Sequence, residues 1–234
     1  MKTIVFDFDG TLTKQDQNIW KMLWQKLGYT TDKNSLYSKL YVEHTIKKTI
    51  TRKQWFDLTC LAFKRKGMSK QTLIDVTKNI DLIDGFEGTI KSLYNLGYSL
   101  HIVSGCIKES IEEKLGENVK YFTNIEANRA VFDKNDKLKK FIATPFDFKG
   151  KAQYINLLKA FTKTKASEII FVGNGDNDEW VYQTGCKTIC INPKNTDSKN
   201  RTIWHKEILD LKNLTQILPE IILNEENEEI LHNN

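Results

Sequence analysis

The stretch Lys2-Thr3-Ile4-Val5-Phe6-Asp7-Phe8-Asp9-Gly10-Thr11 decides how the rest of the chain is read. Residues 2–6 form a short, mostly apolar, β-prone run that stops abruptly at a polar turn. A buried strand of a parallel sheet has this pattern, because both of its faces are covered. Asp7 and Asp9 then stand two apart at the strand's end. Two carboxylates in such an apolar setting repel each other and lose hydration unless something neutralises them. Mg2+ is the natural neutraliser, since it takes oxygen ligands and keeps room for water and phosphate. One strand-end Asp commonly caps backbone amides, but that role accounts poorly for the pair and the adjoining Gly10-Thr11.

Downstream, from about residue 17 to residue 80, the pattern is helical. Ile19, Trp20, Leu23, Trp24 and Leu27 recur at helical spacing before Gly28, and similar sets follow around Leu36, Trp55 and Leu73. No convincing strand interrupts them, so this stretch reads as a small all-helical unit. An α/β rhythm resumes at Asp84-Gly85-Phe86. It predicts a helix closed by Gly97, a strand over 99–103, and a helix over 107–115 that starts just after Ser104-Gly105. Residues 121–142 read as an antiparallel hairpin, a side excursion from the sheet, turning at Asp133-Lys134-Asn135-Asp136. A helix over 149–161, strands over 168–172 and 187–191, and a helix over 207–217 complete the pattern.

Strands alternating with helices imply a doubly wound parallel α/β sheet with right-handed crossovers. Ligands of such sheets bind outside the carboxyl ends of the strands. Three polar turns, at 7–11, 104–105 and 173–178, fall at predicted strand ends. The expected organisation is a discontinuous α/β core over 1–15 and 83–218. A helical cap over 16–82 is inserted after the first strand, and an acidic tail over 219–234 is frayed or disordered.

Asp7-Phe8-Asp9-Gly10-Thr11-Leu12-Thr13 resembles the first motif of the haloacid dehalogenase-like superfamily. The chain is most similar to its phosphoserine-phosphatase-like branch, which carries a helical cap just after that motif. The likeness runs to about residue 215, because the later motifs arrive in order. It implies that Asp7 attacks phosphorus to form an aspartyl-phosphate. Asp9 would protonate the leaving oxygen and then activate water, with Gly10 and Thr11 beside the bound phosphate. Mg2+ would be held by Asp7, by the Asp9 backbone carbonyl, and by the fourth motif. Ser104 matches the second motif, where a hydroxyl and nearby amides hold phosphate oxygens; Gly105 lets the backbone approach, and a helix start favours an anion. A Ser there is otherwise more often a simple cap.

Phe148-Lys149-Gly150-Lys151 resembles the third motif, and the lysine before the glycine, Lys149, is the expected catalytic one, with Lys151 in reserve. Gly173-Asn174-Gly175-Asp176-Asn177-Asp178 stands in the fourth motif's place. The usual Gly-Asp start is replaced by Gly173-Asn174, so either the Asn174 amide or the Asp176 carboxylate completes the metal site beside Asp178. Asp16 falls at the cap entrance, where the branch carries a substrate-recognising glutamate. Arg52 on a cap helix could grip a carboxylate bidentately.

The implied reaction is Mg2+-dependent hydrolysis of a small phosphate monoester. Transfer to a second hydroxyl, as in a phosphotransferase or mutase, is the alternative on the same scaffold. A non-catalytic phosphate or nucleic-acid binder is a third reading, and the bulk numbers give it little. Lys and Arg total 35 against 30 Asp and Glu, and the positives are scattered. No apolar run approaches the roughly 20 residues that cross a bilayer, and residues 1–7 lack a signal-peptide pattern. A cytoplasmic location, a small phosphorylated metabolite as partner, and no nucleic-acid or membrane partner are therefore expected. Monomer and homodimer both stay open. Four cysteines without C-x-x-C or zinc spacing are expected to be reduced and mostly buried.

Overall fold

The central strand β1 (Thr3–Phe6) is buried along its whole length. In the computed structural model, which describes residues 2–15, 17–191, 203–216 and 218, its alternate side chains enter different cores. Ile4 and Phe6 join one apolar cluster. Val5 joins the other, on the opposite sheet face. This is why the run is apolar without alternation.

β1 pairs in parallel with β2 (Ser99–Ile107) on one side and β5 (Ile169–Gly173) on the other. Among the described residues the sheet has seven strands in the order β4-β3-β2-β1-β5-β6-β7. β3 (Asn124–Phe132) is parallel to β2, and β4 (Leu138–Ile142) runs antiparallel at the edge. β6 (Lys187–Ile191) and β7 (Lys206–Ile208) extend the other side in parallel. The strand order reverses around β1, which puts the crevice of a doubly wound sheet at the end of that strand.

Between β1 and β2 lie α1 (Ile19–Lys26), α2 (Leu36–Tyr41), α3 (Arg52–Arg65), α4 (Lys70–Lys78) and α5 (Phe86–Asn95). A π-helical turn over Val42–Ile46 follows α2. Local chemistry sets the boundaries. Asn18 caps α1, and Thr51 with Gln54 forms a reciprocal capping box at α3. Gly28 and Gly97 take positive φ just past α1 and α5. α1 and α3 face each other through aromatic rings. Trp20 makes edge contacts with Trp55, Phe56 and Phe141, and Trp24 with Tyr29 and Phe63. Phe141 belongs to β4, so these helices and the sheet share one apolar cluster. After β2 come α6 (Lys108–Leu115) and, following the hairpin, α7 (Lys149–Thr162), which covers the second face.

Three expectations are corrected. The hairpin at 121–142 is no side excursion: β3 and β4 form the edge of the main sheet. Residues 206–208 form an edge strand where a helix starting at 207 was expected, and the helical turn comes only at 212–216. β2 runs on through Ser104 and Gly105 to Ile107, past a register shift after Val103. The helix that follows therefore begins at Lys108 and does not rest on Ser104. The tail expected at 219–234 lies outside the described residues. All four cysteines are free, three of them buried. Among the described residues no helix is long and apolar enough to cross a membrane.

Candidate active site

The chain leaves the sheet at Asp7, whose N–H still donates to Val172 O at 2.9 Å. Phe8 turns inward and is fully buried, and its carbonyl accepts from the amides of Thr11, Leu12 and Thr13. Gly10 closes this turn at φ 75°, and the Asn174 side chain fills the space a Cβ would need. Gly10 N–H donates to Thr13 Oγ1 at 2.9 Å. The tight turn leaves Asp7 and Asp9 flanking an anchored phenylalanine, with Asn174 against the glycine that follows.

Lys151 organises the site. Its side chain is fully buried, and Nζ lies 3.0 Å from Asp7 Oδ2 and 2.6 Å from Asp178 Oδ1. Burial disfavours its charge, but Asp178, Asp7 and Asp147 together hold its pKa above the ordinary lysine value. The ammonium therefore stays charged. Asp178 Oδ2 accepts from the backbone N–H groups of Asn174 and Gly175, at 3.1 and 3.4 Å. Those bonds fix the loop after β5.

The preference for Lys149 is not matched by the geometry. Lys149 Nζ sits over the Trp180 ring, 5.7 Å from its centroid, while Lys151 holds the place between the carboxylates. Residues two apart on an α-helix point about 200° apart. Which lysine turns inward is thus set by how α7 seats, and Gly150 seats it: the Pro145 carbonyl occupies the position of a Cβ there.

Asp9 is raised to about 7 by burial and by the neighbouring charge of Asp7. Asp147 adds to the rise, and a hydrogen bond from Cys106 and the charge of Lys151 partly offset it. A carboxyl with that value can carry a proton near neutrality and release it. The Cys106 thiol is pushed well above its ordinary value by burial and by Asp9. Ser104 is buried, and its Oγ accepts from Cys106 N–H at 3.2 Å. The Gly105 carbonyl accepts from Trp20 Nε1 at 2.9 Å and Asn128 Nδ2 at 2.6 Å. Any Cβ on Gly105 would meet the Asp147 carboxylate.

Arg52 reaches the same corner from α3. Its Nη2 donates to Asp147 Oδ2 and to Asn128 Oδ1, each at 3.0 Å. Asp16 lies outside the described residues, as does the side chain of Asp176. Sequence reasoning passed over Asp147, Asn128 and Cys106. Asp147 could have been noticed as an acid immediately before the lysine motif. Asn128, in the middle of a strand, gives no local signal.

The donor set fits a hard cation. Asp7 Oδ1 and Asp9 Oδ1 are buried without a hydrogen-bond partner among the described residues. Buried carboxylate oxygens are rarely left so. No group of three His, Cys, Asp or Glu converges among the described residues. A metal here would accordingly draw on amide and carbonyl oxygen as well as carboxylate, a set suited to Mg2+ rather than to zinc.

Fold and site together define a doubly wound α/β protein whose switch-point crevice holds paired acids and a buried lysine. A family model for haloacid dehalogenase-like hydrolases matches residues 4–178, and the chain belongs to that family. No curated protein matches it significantly. Among solved structures, a phosphoserine phosphatase with a phospho-aspartyl intermediate analogue has TM-score 0.68 at 22% identity, covering 92% of this chain and 97% of its own. A probable phosphoserine phosphatase from Vibrio cholerae has TM-score 0.71 at 16% identity, covering 96% of this chain and 66% of its own. A phosphoserine phosphohydrolase-like protein from Francisella tularensis subsp. tularensis SCHU S4 has TM-score 0.61 at 20% identity, covering 93% and 100%. At these identities the likeness is one of fold.

Proposed function

We propose that the protein is a Mg2+-dependent phosphatase that hydrolyses small phosphate monoesters through an aspartyl-phosphate on Asp7. The observation that carries this reading is the buried Lys151 bridging Asp7 and Asp178 at the carboxyl end of the central strand, with Asp9 beside them. Lys151 steadies the Asp7 carboxylate through Oδ2, and Oδ1 has no competing hydrogen bond among the described residues. In the first step an Asp7 oxygen bonds to phosphorus as the ester P–O bond breaks, and Asp9 gives its proton to the departing alcohol oxygen. In the second step Asp9, now a carboxylate, takes a proton from water. The water oxygen bonds to phosphorus, the bond to Asp7 breaks, and inorganic phosphate leaves. The Ser104 hydroxyl, which only accepts within the protein, is suited to hold a phosphoryl oxygen, and Lys151 offsets the phosphoryl charge.

Mg2+ would be held by Asp7, the Asp9 carbonyl and Asn174, with Asp178 behind them. When bound it supplies charge neutralisation that lets a dianionic ester approach two carboxylates. Because Asp178 is already tied to Lys151 and two amides, its part is to fix the loop that carries Asn174. Residues 16–82 would act as a cap over this crevice. Trp20 and Arg52 already bond to residues at its rim, which supports that role.

The test uses an aryl phosphate. Asp7→Asn should abolish turnover with the fold intact by circular dichroism, and EDTA should suppress activity that Mg2+ restores. Chelator-resistant activity, or substantial residual rate in the variant, would remove this reading.

A further inference from the structure

Arg52 on α3 reaches the corner of the crevice that holds Asp147 and Gly105, and its Nη2 is already committed. Both of its bonds go to protein: Asp147 Oδ2 and Asn128 Oδ1, each at 3.0 Å. The partners are themselves fixed. Asn128 is almost fully buried; its Nδ2 donates to Gly105 O, and its Oδ1 also accepts from Thr144 N–H at 2.9 Å. Asp147 Oδ1 accepts from Phe148 N–H at 2.9 Å, in a turn where Phe148 is held at φ 47°. An L-residue rarely adopts that φ, so the surrounding contacts must impose it. The Arg52 and Asp147 side chains keep only 24% and 13% of their exposure, so water screens this pair poorly.

Among the described residues, the two cations ion-paired in this crevice are each matched by carboxylate. Lys151 is shared by Asp7 and Asp178, and Arg52 is neutralised by Asp147. A carboxylate on the substrate's alcohol portion that came to Arg52 would meet Asp147 beside it and a guanidinium whose charge Asp147 already offsets. Like charge in a poorly hydrated site is strongly disfavoured.

We infer that Asp147 is a specificity-determining residue that occupies Arg52, so that the site takes phosphate monoesters whose alcohol portion carries no carboxylate. This rests on the phosphatase reading above. It also separates the chain from a strict phosphoserine enzyme, the activity for which its structural neighbours are named. Asp147 acts through Arg52 and is in that sense a positioning residue.

The experiment compares two esters matched in size, 2-hydroxyethyl phosphate and phosphoglycolate, on the Mg2+-loaded full chain. The wild type should favour the neutral ester in kcat/KM by at least about tenfold. Asp147→Asn keeps the shape and an acceptor for Phe148 N–H but releases the guanidinium. It should shrink that preference by about tenfold. Adding Arg52→Gln to it should restore the neutral preference, which a merely structural role of Asp147 would not produce. Binding of both esters is also measured by calorimetry in an Asp7→Asn background, with and without Asp147→Asn. Selective binding without turnover in any form would remove the phosphatase reading and keep the inference. A wild-type preference for phosphoglycolate, or an unchanged ratio in Asp147→Asn, would overturn the inference and leave the reading standing. No binding of either ester, or an Asp147→Asn chain that folds only with Arg52→Gln and shows the same ratio as wild type, would also overturn it.

Discussion

Lys151 is the cation shared by two of the site's carboxylates. It is fully buried between two carboxylates, so removing its charge leaves two buried acids without their shared cation. Breaking one side of such a buried arrangement typically costs about 3–5 kcal/mol. Lys151→Met should therefore lower the thermal midpoint sharply and reduce kcat by at least about a hundredfold. Lys149→Ala, which loses a surface stacking contact with Trp180, should change kcat less than about threefold and stability by under about 1 kcal/mol. The reverse ranking in steady-state rates would return the role to Lys149. Sequence alone could offer both lysines because they flank the same glycine. The choice depends on the seating of a helix against a proline carbonyl, a contact with no sequence period. By contrast, Asp7 and Asp9 were legible because paired acids at the end of an apolar run are costly to keep without a cation.

Elements decide where those residues point. Gly150 lies in the first turn of α7 with the Pro145 carbonyl in the place of a side chain. Gly150→Ala must push α7 outward or displace the 145–148 turn, an overpacking cost of about 1–3 kcal/mol. Urea unfolding should show a lower midpoint with an unchanged slope, and Lys151 should lose its hold on Asp7, so that activity falls with it. An unchanged midpoint would mean that the turn yields freely. The helices and the central strands were readable from period and capping residues, since each presents enough positions to fix a pattern. β7 was not. Three residues with one buried side chain, Ile208, are too few to tell a strand from the start of a helix. The extension of β2 through Ser104-Gly105 was hidden for a related reason: glycine in a strand reads as a stop, whereas here it makes room for Asp147.

At the scale of the molecule, burial that suits the fold also sets its pH response. His101 on β2 is buried beneath α7, bonded to Ser99 Oγ at 2.9 Å and Tyr154 OH at 2.8 Å. Burial lowers its pKa to about 4 from an ordinary value of 6.5. A group depressed in this way favours the fold fully above its unfolded pKa and loses that contribution as pH falls toward the folded one. The loss amounts to roughly 3 kcal/mol between about pH 6.5 and pH 4. His101→Gln removes the titration, so its stability deficit against wild type in urea should narrow by that order as pH falls; a constant deficit would contradict the burial argument. The doubly wound architecture was legible as a whole, because strand and helix runs alternate in order. The position of β3 and β4 in the sheet was not, since a hairpin's own pattern does not say which strand it joins.

Catalysis through Asp7 is tested most directly by a single turnover of a phosphate ester labelled on phosphorus, quenched in acid and followed by peptide mass mapping. A phosphoryl group is expected on the peptide containing Asp7, removed by hydroxylamine and absent in Asp7→Asn. Phosphate released at full rate with no label on that peptide at any time would contradict it.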